Sequence, residues 1–125
     1  MEFESGVYTV VPTIFKDDIE VDYDKIIDLI SEQVLHKVKN IVLLGTTSET
    51  PTLTDNEQDK IVQLVWEKFN GKINIIVGIG GNNTNKTIQT GLKYYKFCDA
   101  FMVTVPYYNK PSQNGLFKHF SQNVK

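Results

Sequence analysis

Apolar and polar positions alternate along the chain in two rhythms. Short β-branched runs with few polar interruptions cover Val7 to Ile14, Asn40 to Leu44, Ile73 to Val77 and Ala100 to Val105. Such runs suit strands buried on both faces, as in parallel sheets. Between them lie stretches with three- and four-residue apolar steps. Ile26, Leu29, Ile30, Val34, Leu35 and Val38 form one stripe, and Ile61, Leu64, Val65 and Phe69 another. That spacing predicts amphipathic helices. Thr54 followed by Glu57 predicts a capping box at the start of the second helix, because the two side chains satisfy each other's exposed amides. Asn83 or Thr84 can cap a third helix running to about Phe97, and Ser112 a fourth through Leu116, Phe117 and Phe120.

The order is therefore strand then helix, four times. Strands begin near residues 7, 40, 73 and 100, a repeat of about thirty residues, which is the size of one β–α unit. Right-handed crossovers place successive strands side by side. The fold class is α/β, in a single domain over residues 1–125. Periodicity leaves two architectures open: an open four-stranded sheet, or half of a closed barrel.

Composition narrows the partners more than the fold. Hydrophobic residues make up 41% and charged ones 22%, ordinary for a globular domain. Thirteen basic and fifteen acidic residues leave a net charge of −2, without the basic excess that nucleic acid or an anionic membrane surface requires. No apolar run approaches the roughly 20 residues that span a bilayer. The single cysteine, Cys98, cannot form an internal disulfide. With no signal-peptide pattern visible, a cytoplasmic setting is expected.

In parallel α/β folds chemistry gathers where strands hand over to helices. The first such junction, Pro12 to Phe15, reads as a strand end and turn. The second is Gly45-Thr46-Thr47-Ser48-Glu49-Thr50-Pro51-Thr52. Its hydroxyls and amides can converge on a small carboxylate without a buried counter-charge, or they can serve only local turn bonds. The third, Gly78-Ile79-Gly80-Gly81-Asn82-Asn83, lacks the Gly-Lys-Ser/Thr of a phosphate loop, so tight turning and close packing are expected of its glycines. The fourth is Pro106-Tyr107-Tyr108-Asn109-Lys110-Pro111-Ser112-Gln113. Its adjacent tyrosines tend to point apart, one toward a pocket and one toward a partner surface. His36 and His119 fall on expected helices with no carboxylate or cysteine at ligand spacing, which predicts solvated positions. Trp66 predicts helix packing and Cys98 a small apolar role.

Taken together, these junctions resemble the dihydrodipicolinate synthase / N-acetylneuraminate lyase family of pyruvate-using class I aldolases, from about Gly6 to Phe120. Gly45-Thr46-Thr47-Ser48-Glu49 resembles the family's Gly-Thr-Thr-Gly-Glu box. Thr104 to Gln113, with Asp99-Ala100 before it and Gly115-Leu116-Phe117 and His119-Phe120 after it, resembles its Tyr-Tyr-Asn stretch. The long Pro106 to Gln113 match points to the synthase branch. The resemblance implies the first half of a TIM barrel, since a whole barrel takes about 250 residues. It implies condensation of pyruvate with an aldehyde such as aspartate-4-semialdehyde, through a Schiff base on a lysine, with no metal or organic cofactor. By that resemblance Thr46 is the proton-relay threonine, Thr47 holds the pyruvate carboxylate, and Tyr108 is a relay tyrosine reaching into a neighbouring subunit. The partners implied are a pyruvate-like keto acid and either further copies in a homo-oligomer or a complementary C-terminal half-barrel.

Three departures qualify that picture. The family's Schiff-base lysine lies on later strands that this chain does not contain. Ser48 replaces the box's second glycine, which predicts strain if that position has positive φ. Lys86 stands where lysine-inhibited synthases carry glutamate, beside Asn82 and Tyr107 of the same regulatory site, which predicts little lysine feedback. Two other readings stand beside the enzyme: a catalytically inactive half-barrel used for binding or structure, and a phosphate-binding open sheet resting on Gly78 to Gly81 alone.

Overall fold

The computed structural model describes residues 5–123. Four parallel strands, β1 (Thr9–Val10), β2 (Asn40–Leu43), β3 (Asn74–Gly78) and β4 (Ala100–Met102), lie in the order β1-β2-β3-β4. Helices α1 (Tyr23–Leu35), α2 (Asp55–Phe69), α3 (Thr84–Tyr94) and α4 (Gln113–Asn123) follow them in turn. The strand–helix alternation read from the sequence holds throughout. Helices α2, α3 and α4 start at the expected caps, and α1 at Asp22, which the sequence reading did not single out. Asp22 accepts from the Lys25 amide, Thr54 and Glu57 form the full capping box, and Asn83 accepts from the Lys86 amide. Ser112 Oγ accepts from the Gly115 amide at 3.2 Å. Glu57, bonded to the Thr54 backbone and hydroxyl, keeps its carboxyl below the usual carboxylate range.

The two central strands are the most deeply covered. Ile41, Leu43, Ile75 and Val77 face the helices and pack with Ile26, Ile30, Ile61, Val62, Val65 and Phe69. Cross-strand register puts Val10, Val42, Ile76 and Ala100 in one row on the opposite face, with Met102 beside Gly78 in the next. Below that row the Asn74 amide donates to Asn40 Oδ1 at 2.7 Å, and the Asn40 amide donates to the Val7 carbonyl at 3.1 Å. The outer strands differ from expectation. Of the run Val7 to Ile14 only Thr9–Val10 joins the ladder, and Val7 and Val10 stay exposed. Burial on both faces is a property of central strands, and β1 and β4 are the edges here.

Helix ends also shift. The first helix stops at Leu35 because Lys37 turns left-handed (φ 66°), and the third stops at Tyr94 rather than Phe97. Tyr94 donates its hydroxyl to Asp59 Oδ1 at 2.7 Å, and Lys93 pairs with the same carboxylate, so α2 and α3 are clasped together. Burial and the bond to Asp59 push the Tyr94 phenol well above its usual range. His119 corrects the sequence reading: it is buried, with Nδ1 2.8 Å from Thr84 Oγ1 and its ring edge-on to Phe120. It lies on the face of α4 that packs against α3. Its spacing from Leu116, three residues earlier, was the available signal.

Removing the Thr54 hydroxyl by Thr54→Ala should lower unfolding free energy by about 1 kcal/mol in a urea titration, since one orphan amide loses its acceptor. Burial, with Asp99 adding to it, pushes the Cys98 thiol from 9.0 up to about 11. Thiol alkylation should therefore rise with a midpoint near that value. The fold favours the neutral thiol, so this group's contribution to stability is complete below about pH 9 and falls as pH rises toward about 11. Cys98→Ala should remove that part of the alkaline loss.

Candidate active site

The C-terminal ends of β2, β3 and β4 converge on one cleft of about 930 Å³. Its shape depends on a backbone reversal. By strand alternation Leu44 would point with Val42, but its φ is 53° and its side chain instead joins the helix-facing core. A left-handed leucine costs about 1–2 kcal/mol, offset here by burial of the isobutyl group. The turned Leu44 carbonyl lies over β3, where a Cβ on Gly78 would meet it at 2.4 Å. Gly80 is similarly crowded by Thr104 at the end of β4. These glycines let three strand ends approach each other, as the packing reading of the third junction expected.

After Gly45 the chain makes a turn of 3-10 helix over Thr46–Ser48, closed by the Ser48 amide on the Gly45 carbonyl at 3.1 Å. Thr50 Oγ1 donates to the same carbonyl at 3.0 Å. Strain at Ser48 is not found. Ser48 sits in the helical turn, buried, and Glu49 carries the positive φ of 52°. Ser48 Oγ donates to the Val11 carbonyl at 2.6 Å, and Thr13 Oγ1 donates to the Ser48 carbonyl at 2.6 Å. A serine here thus adds a buried tie between the threonine turn and the chain following β1, which a glycine cannot make.

The expected site residues separate into two groups. Thr46 lines the cleft. Its hydroxyl and that of Thr47 make no hydrogen bond to protein among the described residues, so both can serve a ligand; Thr47 is exposed within the turn and is not on the cleft wall. Tyr107 lines the cleft, with its amide donating to Asn82 Oδ1 at 2.7 Å. Tyr108 takes a left-handed φ of 69°, is 93% exposed and lies off the cleft. Of the two adjacent tyrosines, Tyr107 borders the cleft and Tyr108 does not. Within one chain Thr46 and Tyr108 are not brought together.

The α3 side of the cleft adds Asn83, Lys86, Gln89 and Thr90, and the α2 side Asp55 and Gln58. Gln58 and the α2 side were not legible as site residues, because they follow the capping box and read as ordinary helix. Every described lysine is exposed. Lys86 and Lys93 reach the cleft, and Lys93 is engaged by Asp59.

Four right-handed β–α units with a cleft at the strand ends define a segment of a TIM barrel whose chemistry sits at its C-terminal mouth. The Dihydrodipicolinate synthetase family model matches residues 3–124, and the chain belongs to that family. It is 44% identical over 117 residues to 4-hydroxy-tetrahydrodipicolinate synthase of Phocaeicola vulgatus, covering 92% of this chain and 38% of that protein. Against the enzyme of the same name from Fervidobacterium nodosum it is 43% identical, covering 93% and 40%. The dihydrodipicolinate synthase structure from Aquifex aeolicus superimposes with a TM-score of 0.90 at 37% identity, over 95% of this chain and 41% of that one. A chloride-inhibited dihydrodipicolinate synthase from Acinetobacter baumannii, complexed with pyruvate, superimposes with a TM-score of 0.91 at 30% identity, covering 95% and 41%. The chain spans about two fifths of the length of the relatives it matches. No helix among the described residues is long and apolar enough to cross a membrane.

Ser48→Ala should cost about 1–3 kcal/mol of stability, because the buried Val11 carbonyl loses its donor; Thr47→Ala, at an exposed position, should fall within about 0.5 kcal/mol of the parent. Urea titrations of both variants check the contrast.

Proposed function

We propose that this chain is the N-terminal half of a dihydrodipicolinate synthase-like lyase, in which pyruvate forms a Schiff base with a lysine supplied from outside residues 5–123. Membership of the family and the cleft carrying Thr46 at the β2 end support this reading. The single observation that carries its second half is the exposure of every described lysine. An amine that attacks a keto carbon near neutral pH must be desolvated or electrostatically tuned to lose its proton, and none here is placed for that.

The reaction divides accordingly. The external amine adds to the C2 carbonyl of pyruvate, and water leaves as the imine forms. Loss of a C3 proton gives the enamine, whose carbon bonds to an aldehyde such as aspartate-4-semialdehyde. Thr46 passes the protons these steps release and consume, through its unengaged hydroxyl. Thr47 binds the carboxylate of pyruvate. Tyr108, turned outward, completes the relay in a neighbouring subunit rather than in its own. The inactive half-barrel is the competing reading, favoured by the same exposed lysines.

Borohydride trapping with pyruvate and mass spectrometry separates them. The isolated chain should give no adduct. Mixed with the remaining barrel strands of the Aquifex aeolicus relative, it should support one adduct, on the added polypeptide, and turnover should fall about 100-fold or more with Thr46→Val. A stoichiometric adduct on this chain alone, or reconstituted turnover indifferent to Thr46, overturns the assignment.

The same cleft joins Asn82, Lys86 and Tyr107. The Lys86 ammonium repels the ammonium groups of free lysine, so isothermal titration with L-lysine should show no binding. Lys86→Glu should create or strengthen it.

A further inference from the structure

Two Asn-Gly pairs occur in the chain, Asn70-Gly71 and Asn114-Gly115. Such a pair carries its own chemistry, because a glycine nitrogen, unhindered by a side chain, can attack the carboxamide carbon of the asparagine before it. The fold puts the two pairs in opposite settings. Asn70 and Gly71 are exposed, in the turn between α2 and β3. Asn70 has φ −52° and ψ 132°, Gly71 has φ 74°, and the Lys72 amide donates to the Phe69 carbonyl at 2.9 Å. Those angles and that bond define a type II turn, whose second central residue is normally glycine. Among the described residues, neither the Asn70 carbonyl nor the Gly71 amide takes a hydrogen bond. The peptide joining them is therefore unanchored, while Phe69 and Ile73 on either side are buried.

Asn114-Gly115 lies in the first turn of α4. The Gly115 amide donates to Ser112 Oγ at 3.2 Å, and Gly115 is not left-handed.

We propose that Asn70 is a site of spontaneous deamidation that loosens the α2–β3 connection, and that Asn114 is protected from it. The Gly71 nitrogen loses its proton to solvent base and bonds to Cγ of Asn70. The Cγ–Nδ2 bond breaks, and Nδ2 takes a proton from solvent and leaves as ammonia. Water then opens the cyclic imide at either of its two carbonyl carbons. One opening leaves aspartate, and the other leaves isoaspartate, whose main chain runs through the former side chain. No oxidant or reductant takes part.

Attack requires the peptide to swing away from ψ 132° at Asn70. Gly71 accepts either sign of φ, and no bond to the swinging peptide has to break. At Gly115 the same swing must break the Ser112 bond and the first turn of α4. Lys68 and Lys72 flank the reactive turn, with Lys72 Nζ donating to the Lys68 carbonyl at 2.9 Å. Their positive charge favours the anionic nitrogen that attacks. Isoaspartate adds one main-chain carbon inside the loop closed by the Lys72–Phe69 bond, so the end of α2 and the start of β3 lose their spacing. This turn lies at the opposite end of the strands from the cleft, and its chemistry does not rest on the keto-acid reading.

The whole chain, held warm at mildly alkaline pH and sampled by tryptic mass spectrometry, should deamidate at Asn70 at least about tenfold faster than at Asn114, which must first open locally. The rate should rise in proportion to hydroxide, and both aspartyl and isoaspartyl peptides should appear. Gly71→Ala, where an added Cβ meets nothing within 4 Å, should slow the reaction about tenfold or more, because a side chain hinders both the attack and the swing. The modified fraction should unfold at a lower urea concentration than the fresh chain. Equal rates at the two asparagines, aspartate without isoaspartate, a rate indifferent to pH, or an unchanged urea midpoint would each overturn the proposal. Should Gly71→Ala fail to fold, Asn70→Ser replaces it and should abolish the modification, and the comparison of the two asparagines within the parent decides the matter alone.

Discussion

A parallel β-sheet is stable only when both of its faces are kept from water, and this chain meets that requirement fully on one face and only at the central strands on the other. Helices α1, α2 and α3 cover the side carrying Ile41, Leu43, Ile75 and Val77, while the row from Val10 to Ala100 is only partly covered among the described residues. Val42 is nonetheless only 5% exposed, because the sheet curls and Met102 and Val10 approach from either side near Gly45. The middle of the sheet is therefore finished and its margins are not.

The mouth of the half-barrel is where backbone conformation departs most from simple strand and helix. Leu44, Glu49, Tyr108 and Lys110 all take left-handed φ within the β2–α2 and β4–α4 connections. Such residues persist only where surrounding structure compensates their strain. For Leu44 the compensation is burial in the core, and the turned carbonyl then requires glycine at position 78. For the threonine turn it is the pair of buried bonds through Ser48, which fasten the turn to the chain beyond β1. Of these two bonds only the one from Ser48 Oγ to the Val11 carbonyl depends on the side chain, so serine in place of glycine in this box adds one buried attachment.

The chemistry of the site is distributed rather than concentrated. Thr46 and Tyr107 share a cleft, Thr47 stands beside it, and Tyr108 faces away. Tyr108 combines a positive φ with 93% exposure, which sets its ring in solvent rather than in the cleft. Charged groups at the cleft, Lys86, Lys93 and Asp55, all belong to the helices rather than the strands. The strand ends themselves contribute hydroxyls, amides and glycine backbone.

The sequence by itself determined the four β–α units, the Thr54–Glu57 box, the Asn83 and Ser112 caps and the threonine and tyrosine motifs, because each of these is a contact between residues close along the chain. It also carried the family likeness, since that likeness resides in contiguous boxes. Tertiary structure alone decided that Ser48 bonds to Val11, that Leu44 reverses its face over Gly78, that His119 is buried against Thr84, and that only β2 and β3 are covered on both sides. Each of these joins residues about thirty or more positions apart or depends on which strand lies at an edge. Local periodicity records whether a residue favours a helix or a strand, but which side chain meets which carbonyl across the sheet is set only when the whole chain closes around its core.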